Sequence, residues 1–266
     1  LPVPEDAMKK QKKIRLDQAL LLRGIVPARS QAQALIMAGE VRVNGQMADK
    51  PDRPVAAGDA IQIKKSHPYV SRGAFKIEKA IHEFSIEVQG LKVLDIGIST
   101  GGFSDCLFQC GAAEICGVDV NISQVDYGLR QNPRLHLLKK NARFLQKEDI
   151  PFEPDLIIMD LSFISITNIL PVLAVFAKAK ILSLIKPQFE ASKGSVGKGG
   201  VVRDREQRLQ ILLKLKHKIE SLDFAVLGCA LSGIKGKKGN QEYFFLLQNG
   251  KKNSIDDKMI TDAHEI

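Results

Sequence analysis

V-L-D-I-G-I-S-T-G-G-F-S, residues 93–104, is an apolar run that meets an acid, Asp95, then a glycine-rich turn, then the start of an apolar helix. Glycines let a backbone turn sharply and approach a ligand closely, because no side chain stands in the way. Such a strand–turn–helix is expected to hold a nucleotide-type ligand at the carboxyl end of a parallel strand.

Several chemistries compete for this turn. A dinucleotide site wants G-x-G-x-x-G, whereas the glycines here are Gly97, Gly101 and Gly102. Gly97 to Gly101 also matches the G-x-S-x-G elbow of serine hydrolases, which needs an acid and then a histidine downstream. His136 lies in a strand-like run, His217 in a charged helix and His264 in a polar tail, while His67 and His82 precede the serine. None reads as a base on a loop. Instead a second acid, Asp119, closes the next apolar run, I-C-G-V-D-V. It stands about 20 residues past the turn, where an acid accepts hydrogen bonds from ribose hydroxyls. The favoured reading is an S-adenosylmethionine loop of the methyltransferase kind. The dinucleotide site, the hydrolase elbow and an ordinary α/β turn are its competitors.

From Leu91 onward, strands are expected at 91–96, 114–119, 135–139, 155–160, 180–186, 223–231 and 242–248, and helices at 102–111, 123–131, 168–178 and 204–221. A further helix begins near Gly73, because Pro68 disfavours helix at His67. This alternation predicts an α/β, Rossmann-like, largely parallel sheet with helices on both faces. The chain's 266 residues leave room for a second, small domain.

That domain is expected at 14–65. I-R-L-D-Q-A-L-L-L-R-G has apolar residues at helical spacing and a stop at Gly24. Ser30 is placed to cap a second helix that ends at Gly39. V-R-V-N-G-Q-M then turns at Asn44-Gly45, and A-I-Q-I-K forms another strand. Charge singles out the same end of the chain. Residues 1–79 carry fifteen Lys and Arg against eight acids, most of the net charge of +9. A basic small module joined to a nearly neutral larger one points to nucleic acid, with Arg15, Arg29, Arg42 and Lys50 placed to form a basic face.

Other classes find little support. The four cysteines, Cys106, Cys110, Cys116 and Cys229, make no C-x-x-C pair and no secretory framework, so no metal site is expected. There is no apolar run of about 18 residues, and the first residues lack the apolar core of a signal peptide. Met8 offers a natural start. No membrane partner and a cytoplasmic location are the expectations. The glycine- and lysine-rich loop from Glu190 to Val201 does not match the phosphate-binding P-loop.

Four charged residues fall at ends of elements on the ligand edge of such a sheet. Asp160 closes L-I-I-M-D, Lys186 closes I-L-S-L-I-K, Lys76 lies in the helix leading into the domain, and Glu242 opens E-Y-F-F-L-L. Burying a charge beside an apolar strand is costly without a role. Methyl transfer asks for alignment of donor and acceptor, plus a base where the acceptor is a hydroxyl.

The motifs narrow the field by resemblance. Arg15-Leu16-Asp17, Ala28-Arg29-Ser30 and the run from Ala38 to Gly45 resemble the S4-like RNA-binding domain. Lys76, Asp160, Lys186 and Glu242 resemble the Lys-Asp-Lys-Glu tetrad of FtsJ-like RNA 2′-O-methyltransferases. V-S-R-G-A-F-K, D-L-S-F-I-S-I, K-P-Q-F-E-A, V-G-K-G-G-V-V-R-D and G-N-Q-E-Y-F, with the glycine turn, resemble the TlyA family over about residues 13–248. Members are called hemolysins and act as ribosomal RNA cytidine 2′-O-methyltransferases.

The resemblance implies an S4-like domain at 13–65, a linker at 66–72, an FtsJ-like domain at 73–249 and a polar tail at 250–266. It implies ribosomal RNA or ribosomal subunits as partner and S-adenosylmethionine as cofactor. The cofactor would lie along Asp95, Gly97, Ser99, Thr100, Gly101, Gly102, Phe103, Asp119, Val120, Asn141, Ala142 and Asp160. Lys186 would take the 2′-hydroxyl proton, Asp160 and Lys76 would orient it, and Glu242 would hold the lysines or the acceptor ribose. RNA would meet Arg15, Arg29, Arg42, Lys50, Arg72, Lys193, Lys198 and Arg203, joined by Lys235, Lys237 and Lys238. Ala74 departs from a usual glycine, and Ile98 from a usual alanine. Ile98 is expected to crowd the methionine end of the cofactor. A pore-forming hemolysin and an RNA-binding protein with an inactive methyltransferase fold are the alternatives. The first lacks any amphipathic membrane hairpin or span in the sequence, and the complete tetrad argues against the second.

Overall fold

The structure, a computed structural model, describes residues 13–37, 39–63, 68–192, 196–197, 199–236, 238–250 and 254–265. These fall into two compact units that part after Pro68.

The first unit comprises β1 (Ile14–Arg15), α1 (Leu16–Leu22), α2 (Arg29–Met37), β2 (Val41–Val43), β3 (Gln46–Ala48), β4 (Pro54–Val55) and β5 (Ile61–Ile63). Leu16, Ala19 and Leu20 recur at helical spacing and bury one face of α1 against Ala32 and Ile36 of α2 and Val41 and Val43 of β2. β2 pairs with β3 through a tight turn in which Asn44 and Gly45 both have positive φ, 51° and 80°. Two left-handed residues in a row suit Asn-Gly, and their twist matches that of the flanking strands. β5 covers the other edge of β2, and β1 pairs with β4. Ser30 is not the cap of α2, since the helix already includes Arg29.

The second unit opens with Tyr69, in residues expected as linker. Tyr69 is buried in the core, its hydroxyl donates to Glu78 Oε1 at 2.6 Å, and Val70 N donates to Asp105 Oδ2 at 2.7 Å. Residues 69–72 therefore pack as part of this unit. Then follow α3 (Ala74–Glu83), β6 (Lys92–Ile96), α4 (Gly102–Gln109), β7 (Glu114–Asp119), α5 (Tyr127–Arg130), β8 (Leu135–Lys139), β9 (Leu156–Met159), α6 (Leu170–Leu173), β10 (Lys180–Ile185), α7 (Pro187–Glu190), α8 (Arg205–Ser221), β11 (Phe224–Leu231), β12 (Tyr243–Asn249) and α9 (Asp257–Glu265).

Seven strands form one sheet in the order β11-β12-β10-β9-β6-β7-β8, with β12 antiparallel to both its neighbours and the other pairs parallel. The central strands are buried along nearly their whole length, as parallel strands covered on both faces must be. One face packs Ile77, Leu107 and Phe244, the other Phe176, Leu212 and Ile219. The chain leaves β6 towards β7 and β8 and returns to β9 on the opposite side. The crevice at this reversal is where open α/β sheets bind ligands.

Two expected helices are broken. Asp126 accepts from Leu129 N and starts α5 afresh, so 123–131 is a 3-10 turn followed by one short helix. The expected helix at 168–178 is the end of a 3-10 turn followed by the short α6, with Pro171 in its first turn, where a missing N–H costs nothing. The polar tail is a further correction. Ile260 of α9 is fully buried, and His264 Nδ1 meets the Tyr243 hydroxyl at 2.6 Å. Before α9, Ile255 N donates to Val226 O at 2.7 Å, which pairs part of the edge of β11. Among the described residues no helix is long and apolar enough to cross a membrane, and no group of three or more His, Cys, Asp or Glu is placed to hold a metal.

Candidate active site

The carboxyl ends of β6, β7, β9 and β10 meet at the crevice. Gly97, directly after β6, has φ +87°, and a Cβ there would lie 2.5 Å from the Asp160 carbonyl oxygen. Only glycine lets these two strand ends close on each other. Ser99 also has positive φ, 51°, an unfavourable conformation for a residue with a side chain. Its N–H donates to Asp119 Oδ2 at 3.0 Å, while Asp119 Oδ1 accepts from Asn121 N at 2.9 Å. The Asp119 carboxylate is thus fixed at the tip of β7. Asn141 caps the turn after β8, accepting from Arg143 N at 3.1 Å.

Two cavities flank the turn. One, of about 700 Å³, is lined by Ser71, Arg72, Gly73, Lys76, Thr100, Gly102, Phe103 and Lys235. The other, of about 570 Å³, is lined by Asp119, Val120, Lys140, Asn141, Ala142 and Phe163. Gly97, Ser99 and Asp160 belong to both. Ile98 reaches the first wall, but its buried side chain lies over Gly117, where an added Cβ would come within 2.3 Å of Ile98 Cδ1. Gly117 makes room for the larger residue under the turn.

The four charged residues form two ion pairs. Lys76 Nζ lies 2.5 Å from Glu242 Oε2, and Lys186 Nζ lies 2.5 Å from Asp160 Oδ1. Lys186 also donates to Ser162 Oγ at 2.9 Å. Both lysines are nearly buried, with side chains 13% and 12% exposed. Charges so placed are tolerated because each is paired. Lys76 and Asp160 line the larger cavity, with Glu242 and Lys186 as their partners.

Asp95 sits beneath the turn. It is buried, and Ser104 Oγ donates to its Oδ2 at 2.6 Å, while Oδ1 has no hydrogen-bond partner. Burial, reinforced by the charges of Asp160 and Asp119, pushes its carboxyl up to about 7, against the lowering effect of the Ser104 bond.

The basic residues have varied settings. Arg15 and Arg29 both pair with the buried Asp17, at 3.1 and 2.9 Å, and Gln33 donates to the same carboxylate at 3.0 Å. This holds the Asp17 carboxyl well below its ordinary range, the Arg15 hydrogen bond being the largest cause. Both guanidinium side chains keep over 40% of their surface exposed. Arg42 donates to the Gly45 carbonyl at 2.9 Å, and Lys50, Arg72, Arg203, Lys235 and Lys238 are exposed. Lys193, Lys198 and Lys237 lie outside the described residues.

Sequence reasoning overlooked three residues. Ser162 holds Lys186, Asn240 joins two loops, and Phe163 is 90% exposed at φ +66°, its ring 4.9 Å from that of Phe189. D-L-S-F contains Ser162 and Phe163, and G-N-Q-E contains Asn240, each singled out only by motif resemblance.

Fold, glycine turn and paired charges define a Rossmann-like transferase of the methyltransferase class. The profile of FtsJ-like methyltransferases matches residues 69–249, and that of the S4 domain matches 14–61. The chain belongs to the TlyA family of FtsJ-like methyltransferases. It is 39% identical over 257 residues to the 16S/23S rRNA (cytidine-2′-O)-methyltransferase TlyA of Mycobacterium tuberculosis, covering 95% of this chain and 96% of that protein. It is 42% identical over 236 residues to hemolysin A of Brachyspira hyodysenteriae, covering 86% and 98%. A solved structure from Streptococcus thermophilus, also named a hemolysin, aligns with TM-score 0.69 and 32% identity over 96% of this chain and 97% of that one.

Proposed function

We propose that this protein is an S-adenosylmethionine-dependent 2′-O-methyltransferase acting on ribose of ribosomal RNA, with cytidine as the acceptor nucleoside. The observation that carries the reading is the pairing of Lys76 with Glu242 and Asp160 with Lys186 around one cavity at the glycine turn. An RNA substrate of this kind puts the protein's work at ribosomes, in the cytoplasm.

The residues present fit the cofactor. The Gly97 cradle excludes a side chain, Asp119 is held at the strand tip, and Asp95 keeps an unpartnered oxygen beneath the turn. Asp119 would accept from the ribose hydroxyls. Val120, Asn141 and Ala142 would flank the adenine. Asp95, Ser99, Thr100, Gly101, Gly102 and Phe103 would frame the methionine end. When bound, S-adenosylmethionine supplies a methyl group already activated on sulfur.

The protein's remaining tasks are alignment and proton removal. Asp160 and Ser162 hold Lys186 Nζ at two points. In its neutral form, this amine would take the proton of the 2′-hydroxyl as the oxygen bonds to the methyl carbon and the carbon–sulfur bond breaks, its electron pair leaving with the sulfur as S-adenosylhomocysteine. Lys76, held by Glu242, faces the cavity and orients the acceptor oxygen. Exposed Phe163 offers a ring on which a base can stack, and Arg15, Arg29, Arg42, Lys50, Arg72 and Arg203 offer phosphate contacts.

One observation favours a second assignment of the base. Lys76 lines the cavity itself, whereas Lys186 stands behind Asp160. Single-turnover transfer of labelled methyl to ribosomal RNA at saturating cofactor separates the two. Lys186→Arg is expected to be nearly inactive with cofactor binding intact, because arginine keeps the charge but does not lose a proton. Substantial activity in Lys186→Arg, together with an inactive Lys76→Arg, would move the base to Lys76.

A further inference from the structure

Asn240 stands two residues before Glu242 and is 4% exposed. Its side chain is spent on a separate segment. Oδ1 accepts from Val202 N at 3.0 Å, and Nδ2 donates to the Gly200 carbonyl at 2.9 Å. Its own carbonyl accepts from Gly236 N at 2.9 Å, closing the turn that carries Lys235. A buried amide satisfied at both ends by another segment's backbone joins two loops that are far apart in sequence.

The partner segment is held from its other side as well. Val202 is buried, and Arg208 donates to the carbonyls of Val202 and Arg203 at 3.1 and 2.7 Å. The side chain of Arg203 is left exposed, as are Lys235 and Lys238. The closed turn also bears on the ion pair. A Cβ on Gly236 would lie 2.4 Å from Glu242 Oε1, so the backbone of this turn walls the carboxylate that pairs with Lys76.

We infer that Asn240 is a positioning residue for the RNA acceptor. It holds Arg203 on one loop and Lys235 and Lys238 on the other as one cationic surface that grips the sugar-phosphate backbone beside the larger cavity, and it keeps Glu242 directed at Lys76. Cations ordered before binding spare the complex the entropy of ordering two loops separately. The inference rests on the reading of the protein as an RNA methyltransferase.

The test uses the full chain with Asn240→Ala and Asn240→Asp. Aspartate keeps the acceptor for Val202 N but loses the donor to Gly200 and sets a charge against its carbonyl. Three quantities are measured: affinity for a ribosomal RNA transcript across a salt series, S-adenosylmethionine affinity by calorimetry, and single-turnover methyl transfer. The expected result is RNA affinity lower by about tenfold, the net worth of one or two hydrogen bonds. The slope of log affinity against log salt should become shallower by about 1 to 2, as fewer phosphates are neutralised together. Cofactor affinity should be unchanged. RNA affinity and slope at wild-type values would overturn the inference, and so would parallel loss of RNA and cofactor binding with the slope kept. If Asn240→Ala does not fold, Asn240→Asp carries the same measurements. A wild-type protein that methylates no ribosomal RNA would sink the proposed function, whereas an active wild type with unaltered variants sinks only the role of Asn240.

Discussion

Asp95→Asn removes the one acid whose burial beneath the glycine turn raises its carboxyl to about 7. An unfolded aspartate titrates near 3.9, so between these values the native state holds a proton that the unfolded state has lost. Stability must then fall as pH rises through that window, because the folded pKa is the raised one. From pH 5 to pH 8 the loss from this single group is about 2 to 3 kcal/mol. Asparagine preserves the shape, accepts from Ser104 and has nothing to titrate. Every other carboxylate is common to both proteins and cancels in their difference. The stability of Asp95→Asn relative to wild type is therefore expected to improve by about 2 to 3 kcal/mol between pH 5 and pH 8. Urea unfolding followed by circular dichroism at the two pH values gives the comparison. A difference independent of pH would show that Asp95 is not held protonated by burial, and the account of the site's floor would fail.

Two further outcomes concern the ligand and the first unit. Asp119→Ala is expected to weaken S-adenosylmethionine binding about tenfold or more, since it would remove the proposed ribose acceptor and free Ser99 N and Asn121 N; calorimetry showing wild-type affinity would remove Asp119 from the site. A chain trimmed to residues 69–266 keeps Tyr69 and both faces of its core, and it is expected to fold yet methylate ribosomal particles poorly. Its full activity on such particles at physiological salt would show that the S4 unit is not needed for recognition.

Local chemistry alone placed the turn at 97–102, the strand before it, the acid at Asp119 and the Asn44-Gly45 hairpin, because each rests on backbone rules that act within a few residues. Alternating strands and helices likewise implied the parallel sheet. Ser30 misled because a good capping residue is not a cap when the helix starts one residue earlier. Asp126 restarts a helix at a point that hydrophobic spacing had run through. The tail looked polar because its buried residues, Ile255, Ile260 and His264, are scattered among polar ones, and His264 finds its partners far away in sequence, on α8 and β12. The same distinction holds at the site. Lys76, Asp160, Lys186 and Glu242 could be named from strand ends and motif resemblance, but their division into two pairs is a matter of chain folding. Lys76 and Glu242 lie 166 positions apart and meet at 2.5 Å. Ile98 fills the space left over Gly117 on the next strand, a fit that the glycine turn alone does not contain. Neighbouring residues determine backbone conformation, while who touches whom across a sheet is decided by register and packing, which no short stretch of sequence contains.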